Sequence, residues 1–475
     1  MPEPRYNPVT PDVVEELTRI VGAKYVLFGD AERLDAYSHD EVPDPRYAHQ
    51  PEALVRPRTA DEISAIMRLA NARRIPVTPR GAGSGLSGGA VPIHGGIVLL
   101  CDRMNRIVEI DRDNLMVTVE PGVVTNEINT ALAEYGLFYA GYPMSLETCY
   151  IGGNVAENAG GGKAVKYGVT GRYVTGLEVV TPTGEIVRLG GKLVKDVTGY
   201  NLIQLLVGSE GTLGIFTRIT LRLIPLPKAS VDLLCLFGTA EEAISAVPRI
   251  MTTGGVIPTA IEFMDGTSVQ ASCEYLNESL PYEQSGAMLL ITVDGSDESQ
   301  VEREYETIGE LCLSSGAQEV YVADNHTTSE RIWKVRRNIG EAFNVFAKDQ
   351  CGEDIVVPIA AIPRVVAFMR ELEGHYGVRM PCFGHAGDGN LHARIVADAD
   401  WPADRWAETL EKILLELYEL TASLGGTISG EHGIGHKRKK YMPMFVSAPA
   451  VELMRAIKRA WDPNNVLNPG KIFDL

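Results

Sequence analysis

The 475-residue chain is predicted to fold as an α+β protein of two domains, and three observations predict it. At ~100–200 residues per domain the length exceeds one ordinary domain. The 48 glycines are gathered into dense clusters, at 81–96, 141–171, 190–214, 384–389 and 425–435, with short β-rich runs between the first three. After IPLPKAS (224–230) the pattern changes to strands alternating with amphipathic helices, and a domain boundary belongs there.

Within the first domain, residues 1–228, the strand candidates are IVLL (97–100), MVTVEPG (116–122), LEVVTP (177–182) and IFTRITLRLI (215–224). TADEISAIMRLANARR (59–74) reads as a helix: Ile63, Ile66 and Met67 recur at helical spacing, and Thr59 can cap its start. NEINTALAEYG (126–136) is a second, ended by Gly136. The second domain, 229–475, opens with VDLLCLF and AMLLITVDG as strands, and AEEAISAVPRIM and ESQVEREYETIGELCL as helices. A long helix near 402–424 places Leu410, Ile413, Leu414, Leu417 and Leu420 on one buried stripe.

Forty-four basic residues against 62 acidic ones give a formal charge of -18, which argues against nucleic acid as a partner. No run approaches the ~20 apolar residues of a membrane span, and the N-terminus resembles neither a secretory signal nor a transit peptide. The seven cysteines never form CxxC, so neither a disulfide framework nor an iron–sulfur module is expected. A cytoplasmic protein is expected, with any membrane association made through a partner.

The segment VTPRGAGSGLSGGAVPIHGGIVLL (77–100) satisfies GxGxxG at Gly83, Gly85 and Gly88 and GxSxG at Gly85, Ser87 and Gly89. Both motifs need a helix directly after the glycines. Residues 85–96 still hold Gly88, Gly89, Pro92, Gly95 and Gly96 and cannot be helical. What such a loop offers is a row of backbone N–H groups that a pyrophosphate can approach closely.

PRGAGSGLSGGA (79–90) resembles the pyrophosphate loop of the FAD-linked oxidases, the vanillyl-alcohol oxidase and p-cresol methylhydroxylase flavoprotein superfamily. Three further segments resemble that family in its order: GYPMSLETCYIGGNVAENAGGGKAVKYG (141–168), KDVTGYNLIQLLVGSEGTLGIFTRITLRLIP (195–225) and DPNNVLNPGKIF (462–473). The resemblance implies a two-part FAD-binding domain of the p-cresol methylhydroxylase type and an α+β substrate (cap) domain, with residues 461–475 returning to the flavin. It implies cofactor contacts at Arg80, Gly81, Ala82, Gly83, Ser84, Gly85, Leu86 and Ser87 in the first segment. Pro143, Thr148, Gly152, Gly153, Asn158 and Gly161 follow in the second, Glu210, Gly211 and Ile215 in the third, and Asn468 in the last. No histidine lies inside the loop where some relatives attach flavin, and His94 falls off that pattern, so non-covalent FAD is expected.

FGHAGDGNLHARIVA (383–397) reads as strand, Gly-Asp-Gly-Asn turn, strand, a hairpin that brings His385 and His392 together. ISGEHGIGHKRKKYM (428–442) offers Glu431 and His432 in another glycine-framed loop. Two imidazoles and a carboxylate suit a divalent metal, with His432 left as a base. The alternative is a pair of hydrogen-bonded core histidines. GHAGDGNLH and GEHGIG resemble the metal-binding pair of the D-2-hydroxyacid dehydrogenase branch. That branch includes D-lactate dehydrogenases, the glycolate oxidase FAD subunit and D-2-hydroxyglutarate dehydrogenase. The resemblance implies His385, His392 and Glu431 as ligands of Zn, Fe or Mn, His432 as catalytic base and Arg336 as the substrate-carboxylate arginine. Arg337 is the alternative to Arg336. Lys437, Arg438, Lys439 and Lys440 read as solvated surface or a partner patch.

Arg394 stands where the 2-hydroxyglutarate branch carries an asparagine, which favours a small acid, D-lactate or glycolate; alternatively Arg394 serves a second substrate carboxylate. The expected reaction is oxidation of the 2-hydroxy acid to the 2-oxo acid, with electrons passed to a separate acceptor protein, a partner subunit or a quinone. A homo-oligomer is expected. Competing readings are a non-hydroxyacid flavoenzyme of the same superfamily and a non-catalytic FAD-binding subunit.

Overall fold

A computed structural model describes residues 6–323, 325–397 and 401–475. The chain forms two compact units, neither continuous in sequence. The first holds the described residues up to Gly160, then Val169–Leu226 and Glu431–Leu475; the second holds Gly161–Gly168 and Pro227–Gly430. The change of unit expected after residue 228 thus falls after Leu226, and the return to the first unit begins at Glu431 rather than 461. Its cause is local bonding. Glu210 accepts the backbone N–H groups of Ile434 and Gly435, and Ser87 O accepts those of His436 and Lys437.

Among the described residues the first unit contains two larger sheets and a two-stranded one, Leu137–Phe138 with Ile224–Pro225. In one, strands Ala53–Val55, Ile97–Leu100 and Val77–Arg80 run parallel, with Val26–Phe28 antiparallel at one edge. Helix Ala60–Arg73 makes the crossover; Thr59 caps it by accepting from Glu62 N, and Ile63, Ile66, Met67 and Ala70 are buried. The same apolar cluster takes in Ile97, Leu99, Val466 and Leu467. The terminal strip therefore belongs to this core: Val77 N donates to Val466 O, and Asn468 N to Val77 O, both at 2.8 Å. The other larger sheet is antiparallel, in the order Ile107–Asp111, Met116–Val119, Ile215–Arg222, Val174–Val180, Ile186–Gly190.

Helix Ala448–Trp461 is locked onto the strip by Lys458. Its buried ammonium donates to Thr212 O at 2.8 Å, Asp462 Oδ2 at 2.6 Å and Leu467 O at 2.8 Å.

The second unit is built on an antiparallel sheet ordered Ala317–Ala323, Ala229–Phe237, Ala287–Gly295, Ala260–Asp265, Cys382–His385, Asn390–Ala397, Gln350–Val356, with Val378–Arg379 paired to Asn390–Ala397. Helix Ala240–Thr252 starts in a capping box between Thr239 and Glu242. The long helix runs Ala403–Ser423, with Leu410, Ile413, Leu414 and Leu417 buried as their spacing predicts. All seven cysteines are buried, and none is in a disulfide. Among the described residues no helix is long and apolar enough to cross a membrane.

Candidate active site

The glycine loop of the first unit follows strand Val77–Arg80 and is braced, not slack. Arg80 turns under the loop and donates from Nη1 to His39 O at 2.7 Å. A Cβ on Gly83, whose φ is +81°, would collide with the Arg80 guanidinium, so only glycine fits. Asp40 accepts from Gly88 N at 2.7 Å and Val42 N at 3.1 Å, and Glu41 N donates to Gly85 O.

Two cavities of about 590 and 950 Å³ adjoin at this loop, sharing Gly81, Ala90, Gly153 and Glu157. Of the cofactor residues expected from sequence, Arg80, Gly81, Gly152, Gly153, Glu210, Gly211 and Ile215 line the smaller cavity. Gly81, Ala82, Gly83, Ser84, Gly85, Leu86, Pro143 and Gly153 line the larger. Its wall also carries Glu431 and His432, whose Oε1 and Nε2 lie 3.6 Å apart.

The remaining expected contacts sit elsewhere. Asn468 braces the walls, donating to Gly89 O and Glu210 O. Ser87 is buried behind the loop and accepts from His436 N and Lys437 N. Asn158 caps a helix and accepts from Gly171 N, and Thr148 is exposed in a turn. Gly161 belongs to the other unit.

The basic run is not a solvated patch at its start. Lys437 and Arg438 are buried, because Arg438 Nη1 reaches Leu86 O and Gly433 O, both at 3.3 Å, behind the glycine loop. Two acids face each other here: Glu210, expected at the cofactor, and Glu157, which the sequence reading missed. A Cβ on Gly433 would collide with Glu157 Oε2 and lie 3.1 Å from Glu210 Oε1. Glu210 accepts from Ile434 N at 2.8 Å and Gly435 N at 2.6 Å. Burial, then the Glu210 and Asp40 carboxylates, push Glu157 well above the usual carboxylate range. An acid within a glycine-rich apolar stretch was the available signal.

In the second unit the hairpin Cys382–His385/Asn390–Ala397 pairs Phe383 with His392 and brings the rings of His385 and His392 to 5.3 Å. Behind them stands Glu262, fully buried in strand Ala260–Asp265. One oxygen lies 2.7 Å from His385 Nδ1; the other accepts Arg336 Nε at 2.7 Å and is 2.6 Å from Nη2. Burial opposes its ionisation, but Arg336 and His385 hold it below the usual glutamate range. Glu262 was missed in sequence; a glutamate inside the apolar strand AIEFMD was the clue. Asp354 lies 3.8 Å from His392 Nδ1 and accepts from Asn390 Nδ2, Ser429 Oγ and Gly430 N, the residue before Glu431. Arg394 donates to Gln350 Oε1 at 2.5 Å, Asn344 Oδ1 at 3.3 Å and Gly340 O at 3.2 Å. Arg337 pairs instead with Glu330.

These residues fit both groups that the sequence resemblance implies. The first unit offers a glycine-walled double cavity, suited to a dinucleotide. The imidazole and carboxylate donors suit a borderline divalent ion, and a carboxylate at His385 Nδ1 sets the tautomer that leaves Nε2 as the ligand atom.

Comparison with known proteins supports the flavin. Residues 51–190 match the FAD binding domain family, and residues 226–472 match the family described as FAD linked oxidases, C-terminal domain. The chain is 40% identical to glycolate oxidase subunit GlcD of Bacillus subtilis, over 98% of this chain and 97% of that one. It is 39% identical to a D-lactate dehydrogenase of Anaerostipes hadrus, over 99% of both. Against a D-2-hydroxyglutarate dehydrogenase of Stutzerimonas stutzeri the identity is 31%, over 98% of this chain and 99% of that one. A solved structure of p-cresol methylhydroxylase with substrate bound shares the fold, with a TM-score of 0.80 at 18% identity over 97% of this chain and 96% of that one.

Proposed function

From the chain's membership of the FAD-linked oxidase family, and from the acid–imidazole pair on its cavity wall, we propose that it oxidises a small D-2-hydroxy acid, D-lactate or glycolate, to the 2-oxo acid. The observation that carries this reading is the placement of Glu431 and His432 on the cavity framed by the glycine loop. The relatives named for D-lactate and glycolate chemistry support the substrate class.

Bound FAD supplies a two-electron acceptor, and a bound divalent ion supplies Lewis acidity toward the substrate hydroxyl. His385, His392 and Glu431 are the ligands assigned to that ion. His432 takes the 2-hydroxyl proton as general base. Arg336 holds the substrate carboxylate through Nη1, because Glu262 already engages Nε and Nη2 and fixes the guanidinium plane. Arg394 is saturated by Gln350, Asn344 and Gly340, so a second substrate carboxylate would have to displace those bonds. That favours a monocarboxylate over 2-hydroxyglutarate. Electrons then pass to a separate protein or quinone.

Anaerobic titration with a panel of D- and L-2-hydroxy acids tests the reading. Flavin bleaching by D-lactate or glycolate, lost on chelation, is expected. Bleaching that survives complete metal removal, or none with any member, would refute it.

A further inference from the structure

Among the buried charges of the first unit, one acid has no role in the chemistry above. Glu157 lies at the waist where the two cavities meet, beside Gly81, Ala90 and Gly153. FAD consists of two bulky halves joined by a pyrophosphate, so the waist is where its anionic linker must pass. Glu157 Oε2 is buried and makes no hydrogen bond.

The groups facing it divide clearly. Two are acids: Glu210 across Gly433, and Asp40, which holds the glycine loop at Gly88. The cations nearby are Arg438, Arg80 and Lys471. Each donates to main-chain carbonyls: Arg438 to Leu86 and Gly433, Arg80 to His39 and Ala90, Lys471 to Val91. Of the two facing carboxyls, Glu210 receives two backbone N–H groups and is the better anion. A proton shared by this pair therefore belongs on Glu157, as it does wherever two environments force neighbouring acids apart. A pyrophosphate beside it strengthens the preference, since an ionised Glu157 would face new negative charge in a confined space.

We propose that Glu157 holds FAD as the neutral carboxylic acid, keeping its proton and donating a hydrogen bond to the pyrophosphate, so that flavin binding takes up one proton wherever the flavin-free protein carries Glu157 ionised. The inference concerns FAD binding alone and stands whichever acid is oxidised.

The direction follows from linkage. Once the pH exceeds the value at which the flavin-free protein loses this proton, FAD affinity falls by up to ~tenfold per pH unit. Lys471, whose ammonium burial pushes down to about 7, is the rival source of such a trend, because losing a cation also weakens anion binding.

The experiment is calorimetric binding of FAD to the full chain stripped of flavin, from pH 6 to 9, in buffers of differing ionisation enthalpy. Uptake that sets in once the pH passes the value at which the flavin-free protein ionises Glu157, and climbs towards one proton, is expected, with Glu157→Gln abolishing it and flattening the pH profile. No uptake together with tighter FAD binding by Glu157→Gln, or the same uptake in Glu157→Gln, would overturn the proposal; the first result means that an ionised Glu157 opposes the flavin, and the second assigns the proton to Lys471 or another group. Should Glu157→Gln not fold, Glu157→Asp keeps an acid of altered reach and environment and should move the pH at which uptake sets in. An unmoved onset overturns the proposal equally.

Discussion

Replacing Lys458 with methionine removes an ammonium group that joins three parts of the first unit. Its Nζ donates to Thr212 O, Asp462 Oδ2 and Leu467 O, all at 2.6–2.8 Å. Asp462 is fully buried, and its remaining donors are the backbone N–H groups of Val466 at 3.1 Å and Leu467 at 2.8 Å. Breaking one side of such a pair leaves an uncompensated buried charge and costs about 3–5 kcal/mol. At roughly 2–4 °C per kcal/mol for a unit of this size, the first unit should melt about 6–20 °C lower. Melts followed by flavin release and by circular dichroism measure this. Adding Asp462→Asn removes the stranded charge and should recover part of the loss. A single substitution costing under about 1 kcal/mol, or a double variant no more stable than Lys458→Met, would refute the claim that the pair locks the strip.

Gly83→Ala forces a side chain into a left-handed position against Arg80, a strain of about 1–2 kcal/mol that should weaken FAD retention about 5–30-fold; unchanged flavin content after gel filtration would contradict it. Glu262→Gln leaves Arg336 without its counter-ion and should destabilise the second unit by about 3–5 kcal/mol at neutral pH. Because the native carboxyl titrates below the ordinary glutamate value of 4.5, its contribution is present above that value and lost as the pH falls through its lowered one; the variant's deficit in urea unfolding should shrink there, and a constant deficit would speak against it. His432→Ala should keep its flavin yet slow anaerobic bleaching by about 10²–10⁴-fold, and rapid bleaching would remove it as the base.

What could be read from sequence depended on how local its cause was. Gly83 declares itself because its demand, a left-handed backbone against the neighbouring Arg80, is met within four residues. The helix capped by Thr59 and the histidine hairpin are equally local. The partners of the buried charges were not legible. A sequence gives no sign that Arg438 will meet Leu86 O, or that Glu262 will stand behind His385, since each partner lies more than a hundred residues away. The same distance hid the early return of the chain, because Glu210 holds Ile434 and Gly435 across 224 and 225 residues.

The interleaving of the first unit has a consequence for how the protein is made. Strand Val77–Arg80 finds its bridging partner at Leu467, nearly four hundred positions later, and Asn468 completes the wall at Gly89. A ribosome that has emitted the glycine loop must finish the whole second unit before releasing the piece that closes the first. Nascent chains should consequently stay colourless until residues 466–468 have emerged, and a premature stop between Gly430 and Val466 should yield a protein whose second unit is folded but which never turns yellow.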